Sequence, residues 1–197
     1  MDEKPAYYDI RSGFWRCHFE MALEYDAFLK GSNPELTQRW IDSAKRTPSL
    51  TEDQLYRLRG YDREMNVLIY GGAWCGDCAR TGPMLKGIVD ACGEKVNLRV
   101  IDREASEELQ DELRILGALR VPVVVFLSED FWEVGRFGDR VLTVYRAKAA
   151  RETGRDFKAG ILAPGALASE LGEWVDIFER MLIMLRLSPP LRRRHGD

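Results

Sequence analysis

Val67-Leu68-Ile69-Tyr70-Gly71-Gly72-Ala73-Trp74-Cys75-Gly76-Asp77-Cys78-Ala79-Arg80 decides how the rest of the chain is read. Its first four residues are a short continuous apolar run, the pattern of a strand buried on both faces. Small residues follow, which suit a tight loop. Then comes a C-x-x-C, and behind it a segment to Ala91 that reads as a helix despite Pro83. This order places Cys75 at a helix N-terminus, where free N–H groups and the helix dipole favour a thiolate. Cys78 falls one turn further along the same helix. It is close enough to attack a mixed disulfide formed on Cys75 and release the product. Gly76 leaves room for a partner's backbone, and Trp74 would cover the site on one side.

Outward from this stretch, strand and helix alternate from residue 63 to about 137. Val96 to Ile101 reads as a second strand. Glu104 to Leu116 reads as a helix with Leu109, Leu113 and Leu116 on one stripe. Val121 to Leu127, opened by Pro122, is a third strand, and Trp132 to Phe137 a fourth, partly polar and so at an edge. The flanks read as helix. Phe14, Cys17, Met21, Tyr25 and Phe28 recur at helical steps, which predicts one long helix with Cys17 in its core face. Leu36, Trp40 and Ala44 mark a second helix behind Asn33-Pro34, and Thr51-x-x-Gln54 opens a third that Gly60 closes. Leu167, Leu171, Trp174, Phe178, Met181 and Leu185 form a long amphipathic face. Residues 140–152 alternate in part but lean to helix.

The motif and its surroundings resemble the thioredoxin superfamily. Trp74-Cys75-Gly76-Asp77-Cys78 follows a hydrophobic strand, as the family's site does. Pro83 stands five residues after the second cysteine, where those proteins have a helix-kinking proline. Gly117-Ala118-Leu119-Arg120-Val121-Pro122 resembles the segment leading to the family's cis-proline, and Pro122 lies 47 residues after Cys75. The resemblance covers about 63–137 and the C-terminal helix. It implies an α/β fold with a central mixed sheet flanked by helices. It also implies a Val121 backbone that pairs with an extended substrate beside the cysteines. A narrower resemblance, carried by W-C-G-D-C, Arg99-Val100-Ile101-Asp102-Arg103 and Glu133-Val134-Gly135-Arg136-Phe137-Gly138-Asp139-Arg140, is to bacterial thioredoxin-like proteins with a helical N-terminal extension.

Two positions depart from the family. The buried aspartate six residues before the first cysteine is Ile69 here, so its proton relay to the second cysteine does not carry over. Asp77 stands where proline is usual. Its charge opposes a thiolate, raising the thiol pKa and pushing the pair toward the reducing side, unless a cation such as Arg80 or Arg120 cancels it.

Composition bounds the rest. The chain has 197 residues, 45% hydrophobic, with 29 Lys plus Arg against 32 Asp plus Glu. That is enough to bury a core, and too balanced for a protein held on nucleic acid by charge. No apolar run is long enough to span a membrane, and MDEKPAYYDI does not read as a secretory signal, so a cytoplasmic location is expected. In that compartment a C-x-x-C means redox or metal chemistry rather than a staple. A zinc site needs about four ligands. Only Cys17 and His18 add to the pair, on different sides of a helix, so no metal and no cofactor is expected.

The expected organisation is a helical N-terminal extension over 1–62, a thioredoxin-like domain over 63–187 with a helical insertion near 138–165, and a flexible tail over 188–197. The expected function is thiol–disulfide oxidoreduction through Cys75 and Cys78, with Trp74, Gly76, Asp77, Val121 and Pro122 contacting substrate. Its partners would be protein or small-thiol disulfides and an unidentified reductase that supplies electrons. The alternative is a redox-responsive binding module whose N-terminal helices dock a partner.

Overall fold

The computed structural model describes residues 7–154 and 164–197. Its centre is a five-stranded mixed sheet in the order β1-β3-β2-β4-β5, made of β1 (Leu23–Glu24), β2 (Met65–Gly71), β3 (Val96–Asp102), β4 (Val123–Ser128) and β5 (Glu133–Gly138). β2 and β3 run parallel; β4 is antiparallel to β2, and β5 to β4. Every residue of β2 and β4 is buried, as unbroken apolar runs require of central strands. β5 is half-buried throughout, in keeping with its edge position.

Nine helices are described: α1 (Ser12–Met21), α2 (Tyr25–Lys30), α3 (Pro34–Ala44), α4 (Glu52–Leu58), α5 (Gly76–Cys92), α6 (Glu107–Glu112), α7 (Leu142–Thr153), α8 (Pro164–Leu187) and α9 (Pro189–His195). Alternation along β5 assigns them to faces, because neighbouring strand residues point opposite ways. Arg136 stacks on Trp15 of α1, its guanidinium carbon 5.3 Å from the ring centroid. Phe137 meets Trp174 of α8 edge-on at 5.7 Å. Helix α5 lies on the α8 side, joined to it by Arg80 and Glu170. All six residues of the amphipathic C-terminal face are buried, each large apolar side chain contributing about 1.5–3 kcal/mol.

The helix starts follow their caps. Asn33 accepts from the Glu35 N–H with Pro34 at the first helical position. Thr51 and Gln54 form the reciprocal capping box, and Gly60 adopts a positive φ of 85° just beyond α4.

Several expectations are corrected. The N-terminal helix is not continuous: α1 stops at Met21, Ala22 turns extended, and Leu23–Glu24 pair antiparallel with Val100 and Arg99 of β3. The extension over 1–62 is therefore not all helix. It adds an edge strand to the sheet. The buried face of α1 carries Ser12, Trp15, His18 and Phe19, a register one step round from the expected stripe, so Cys17 and Met21 are exposed. On α3 the buried neighbour of Trp40 is Ser43, not Ala44. Leu116 is 94% exposed because α6 ends at Glu112. Ile115 and Ala118 exchange N–H···O bonds across a tight turn in which Leu116 and Gly117 both take positive φ.

Within residues 188–197, expected as a flexible tail, the structure forms α9. Ser188 caps α9, Leu191 is buried, and Arg194 and His195 both reach Asp130, at 2.9 and 2.8 Å. Within the expected insertion near 138–165, α7 is helical; residues 155–163 lie outside the described residues.

Candidate functional site

Strand β2 ends at Gly71, Gly72 to Trp74 turn the chain, and Cys75 is the N-cap of α5. The turn is closed by the Cys75 N–H donating to the Gly72 carbonyl at 3.1 Å. Two glycines in it are fixed by close approach. A Cβ on Gly71 would lie 3.0 Å from the Cys78 sulfur. One on Gly72 would lie 2.4 Å from Nε1 of Trp74, whose indole folds back over it. Nothing lies within 4 Å of where a Gly76 side chain would begin, so the space above the motif is open at that point.

The two sulfurs differ in environment. Cys75 is 8% exposed and Cys78 1%, both as thiols. Cys75 Sγ accepts the Cys78 backbone N–H at 3.3 Å, the N-cap geometry. Its pKa falls from the ordinary thiol range to about 7. The main cause is the Cys78 thiol donating to it, with the Cys78 and Asp77 backbone N–H groups adding to the effect; burial and the Asp77 charge act against it. Cys78 moves the opposite way, held protonated by that same bond, by burial and by the charge of Cys75. A thiolate at neutral pH therefore sits on the outer sulfur, with a protonated thiol behind it.

The residues expected around the pair converge on it. The Val121–Pro122 peptide is cis, and the Val121 carbonyl faces Cys75 Sγ at 3.8 Å. Trp74 is 43% exposed, with the Arg103 guanidinium 4.5 Å from its ring centroid. Ile69 is buried in β2. Asp77 is the carboxylate whose charge bears on both sulfurs.

Asp77 is itself clamped. Arg80 donates to it at 2.6 Å and Arg140 to its other oxygen. Arg80 continues to the buried Glu170 at 2.9 Å, which also accepts from Thr81. Arg140 continues to Asp139, itself bonded to Arg120 and the Tyr145 hydroxyl. Arg80 thus does offset Asp77, as the sequence allowed; Arg120 does not, being engaged by Asp139. The i, i+3 spacing of Asp77 and Arg80 was visible in the sequence. Arg140, Asp139 and Glu170 come from distant elements and leave no local signal.

The N-terminal helices also reach the motif. The Trp40 indole N–H donates to the Ala73 carbonyl at 3.1 Å, and Arg39 donates to the Trp74 carbonyl at 3.3 Å. Trp40 packs closely on α5: a Cβ on Gly82 would come within 2.2 Å of its ring. Among the described residues no cluster of His, Cys, Asp and Glu has the makings of a metal site. Cys17 is exposed on α1, while the neighbouring His18 is buried and bonded to the Phe14 carbonyl and Ser106. Cys92, at the far end of α5, is half-buried, and burial pushes its thiol up to about 12. No described helix is long and apolar enough to cross a membrane.

Comparison with known proteins agrees with this architecture. The thioredoxin family model matches residues 22–152, so the match reaches back through β1 and α2 to α4. No curated protein matches the sequence significantly. Among solved structures, a protein of unknown function from Pseudomonas aeruginosa shares 22% identity, with a TM-score of 0.63 over 82% of this chain and 95% of that one. An HIV epitope scaffold shares 21%, with the same TM-score, over 84% and 97%. Both likenesses bear on the fold alone. With the family match spanning most of the sequence, and with this sheet and helix order beneath it, the chain belongs to the thioredoxin family.

Proposed function

We propose that this chain is a thiol–disulfide oxidoreductase in which Cys75 attacks and Cys78 resolves. The observation that carries the reading is the placement of the two sulfurs: Cys75 caps the N-terminus of α5 and accepts the Cys78 backbone N–H at 3.3 Å, with the more deeply buried Cys78 one turn behind it. The Cys75 thiolate attacks one sulfur of a substrate disulfide, forming a mixed disulfide and releasing the first thiolate, which takes up a proton. Cys78 then loses its proton to solvent and attacks Cys75 Sγ, releasing the second thiolate. The substrate gains two electrons and two protons, and the protein ends as the Cys75–Cys78 disulfide.

The backbone at Val121, beside the sulfur, suits pairing with an extended substrate chain, with Pro122 next to it. Trp74, Gly76 and Asp77 shape the entrance. Asp77, though paired with Arg80 and Arg140, still weighs slightly against the Cys75 thiolate, a small push toward the disulfide form and the reducing direction, with a cytosolic reductase returning the electrons. The narrower kinship with bacterial W-C-G-D-C proteins belongs to this proposal as well.

An insulin-reduction assay with dithiothreitol tests it. The expected result is faster precipitation of the insulin B chain with the native protein than with Cys75→Ser. Equal rates on insulin, with equal rates on a small neutral disulfide such as hydroxyethyl disulfide, would remove the catalytic reading.

A further inference from the structure

Beside the dithiol lies a cleft that the exchange chemistry does not by itself require. Its volume is about 570 Å³, and it is walled by Arg39 and Ser43 of α3 and Arg46 just beyond that helix on one side, and by Cys75, Gly76 and Arg80 on the other. That is the size of a small-molecule site, for which about 300–1,000 Å³ is usual. Its charge is one-sided. The acid on its wall, Asp77, is paired with both Arg80 and Arg140, and Arg80 is further engaged by Glu170. Arg39 spends one N–H on the Trp74 carbonyl, and Arg46 acts at a distance on Asp42, which is itself bonded to Lys45; neither arginine forms an ion pair with a carboxylate among the described residues. Two guanidinium groups, each with free donors in a planar fork suited to carboxylates, therefore border the route to the reactive sulfur.

We infer that this cleft receives the carboxylate-bearing half of a small-molecule disulfide, with Arg39 and Arg46 pairing its carboxylates while its sulfur meets Cys75. The inference rests on the oxidoreductase reading and names its substrate class. Helix α3 stands on one side of the dithiol, and the space between has the volume of a small ligand. The reaction balances without a further reactant. The reduced pair gives two electrons and two protons to the disulfide, one S–S bond breaks, the Cys75–Cys78 bond forms, and two acidic thiols leave.

The test is a single turnover. The protein is reduced, freed of reductant and mixed at low salt with glutathione disulfide (anionic), hydroxyethyl disulfide (neutral) or cystamine (cationic). Formation of the Cys75–Cys78 disulfide is followed by thiol trapping and mass. Each rate is divided by the rate of the same disulfide with dithiothreitol, which removes intrinsic reactivity. The expected order is anionic above neutral above cationic, with at least about a tenfold span from the paired charges. Added salt compresses that span. Arg46→Glu and Arg39→Glu each shrink or invert the anionic-to-cationic ratio. Arg46 makes no bond to the motif, so its variant separates charge from folding. A flat order, or a preference that survives both reversals, overturns the cleft assignment while leaving the oxidoreductase reading intact. An acidic peptide disulfide that outpaces glutathione disulfide with the same arginine dependence overturns the small-molecule class. If none of the three oxidises the folded pair faster than the urea-unfolded chain, the oxidoreductase reading itself fails.

Discussion

Cys78→Ala removes the strongest influence holding the Cys75 pKa down, and the size of the effect can be worked from the site. The native depression, from an ordinary thiol value near 9 to about 7, corresponds to about 3 kcal/mol in favour of the thiolate. The backbone N–H of residue 78 survives the substitution, as does that of Asp77, while burial and the Asp77 charge still oppose ionisation. The Cys75 pKa is therefore expected to rise by about one pH unit or more. At pH 7 about half of native Cys75 is thiolate; at a pKa near 9 only about 1% is. The less acidic thiol is also intrinsically more nucleophilic, which returns roughly eightfold of that fifty-fold deficit at a Brønsted slope near 0.45. At a pKa near 9 the net slowing of alkylation at neutral pH is thus about sixfold, while the midpoint of the pH profile moves clearly. The assay is iodoacetamide alkylation from pH 5 to 10, read at Cys75 by peptide mass so that the exposed Cys17 does not interfere. Cys78→Ser keeps an O–H donor and is expected to fall between the two. A Cys75 midpoint that stays near 7 or falls in Cys78→Ala would refute this account of the thiolate, because the backbone alone would then be holding it.

Other outcomes follow from the same geometry. Asp77→Asn removes the charge that opposes the Cys75 thiolate, so its pKa should drop below the native value and the disulfide become easier to reduce; an unchanged alkylation profile and thiol–disulfide equilibrium would contradict this. Gly82→Val forces a side chain into the Trp40 ring and should cost about 1–3 kcal/mol in urea unfolding, with an unaltered midpoint as the contrary result. Arg80→Met leaves Glu170 buried without its cation and should destabilise by about 3–5 kcal/mol at neutral pH. The pH dependence has a definite sign. Burial already raises the folded-state pKa of Glu170, and without Arg80 it rises further. A carboxyl raised in this way stabilises the fold fully below its unfolded pKa and loses that contribution as pH rises through its folded pKa. The Arg80→Met deficit should therefore shrink as pH falls through that raised value; a deficit that grows on acidification would rule this out.

Local pattern carried the centre of the molecule and distant contacts carried its edges. β2, α5 and β4 were legible because unbroken apolar runs and an N-terminal C-x-x-C have few other readings. The break at Ala22 was not, because β1 exists through its pairing with Val100 and Arg99 rather than through its own composition. Helix α9 was read as a tail because Arg192-Arg193-Arg194-His195 looks solvated in sequence; Asp130 and the buried Leu191 hold it against the fold. The same holds for the site. Cys75 and Cys78 stand out by their spacing and the Val121–Pro122 segment by its resemblance to the family, whereas the Asp77 clamp by Arg140 and the contact of Trp40 with Ala73 span 63 and 33 residues.

The central claim is that Cys75 and Cys78 form a working dithiol–disulfide couple. It is tested most directly by equilibrating the protein in glutathione or dithiothreitol redox buffers and reading the two cysteines by thiol trapping and mass. The account predicts a reversible two-electron transition confined to Cys75 and Cys78, absent from Cys75→Ser. Failure of the pair to form a disulfide under mild oxidation, with both thiols still trapped singly, would contradict it.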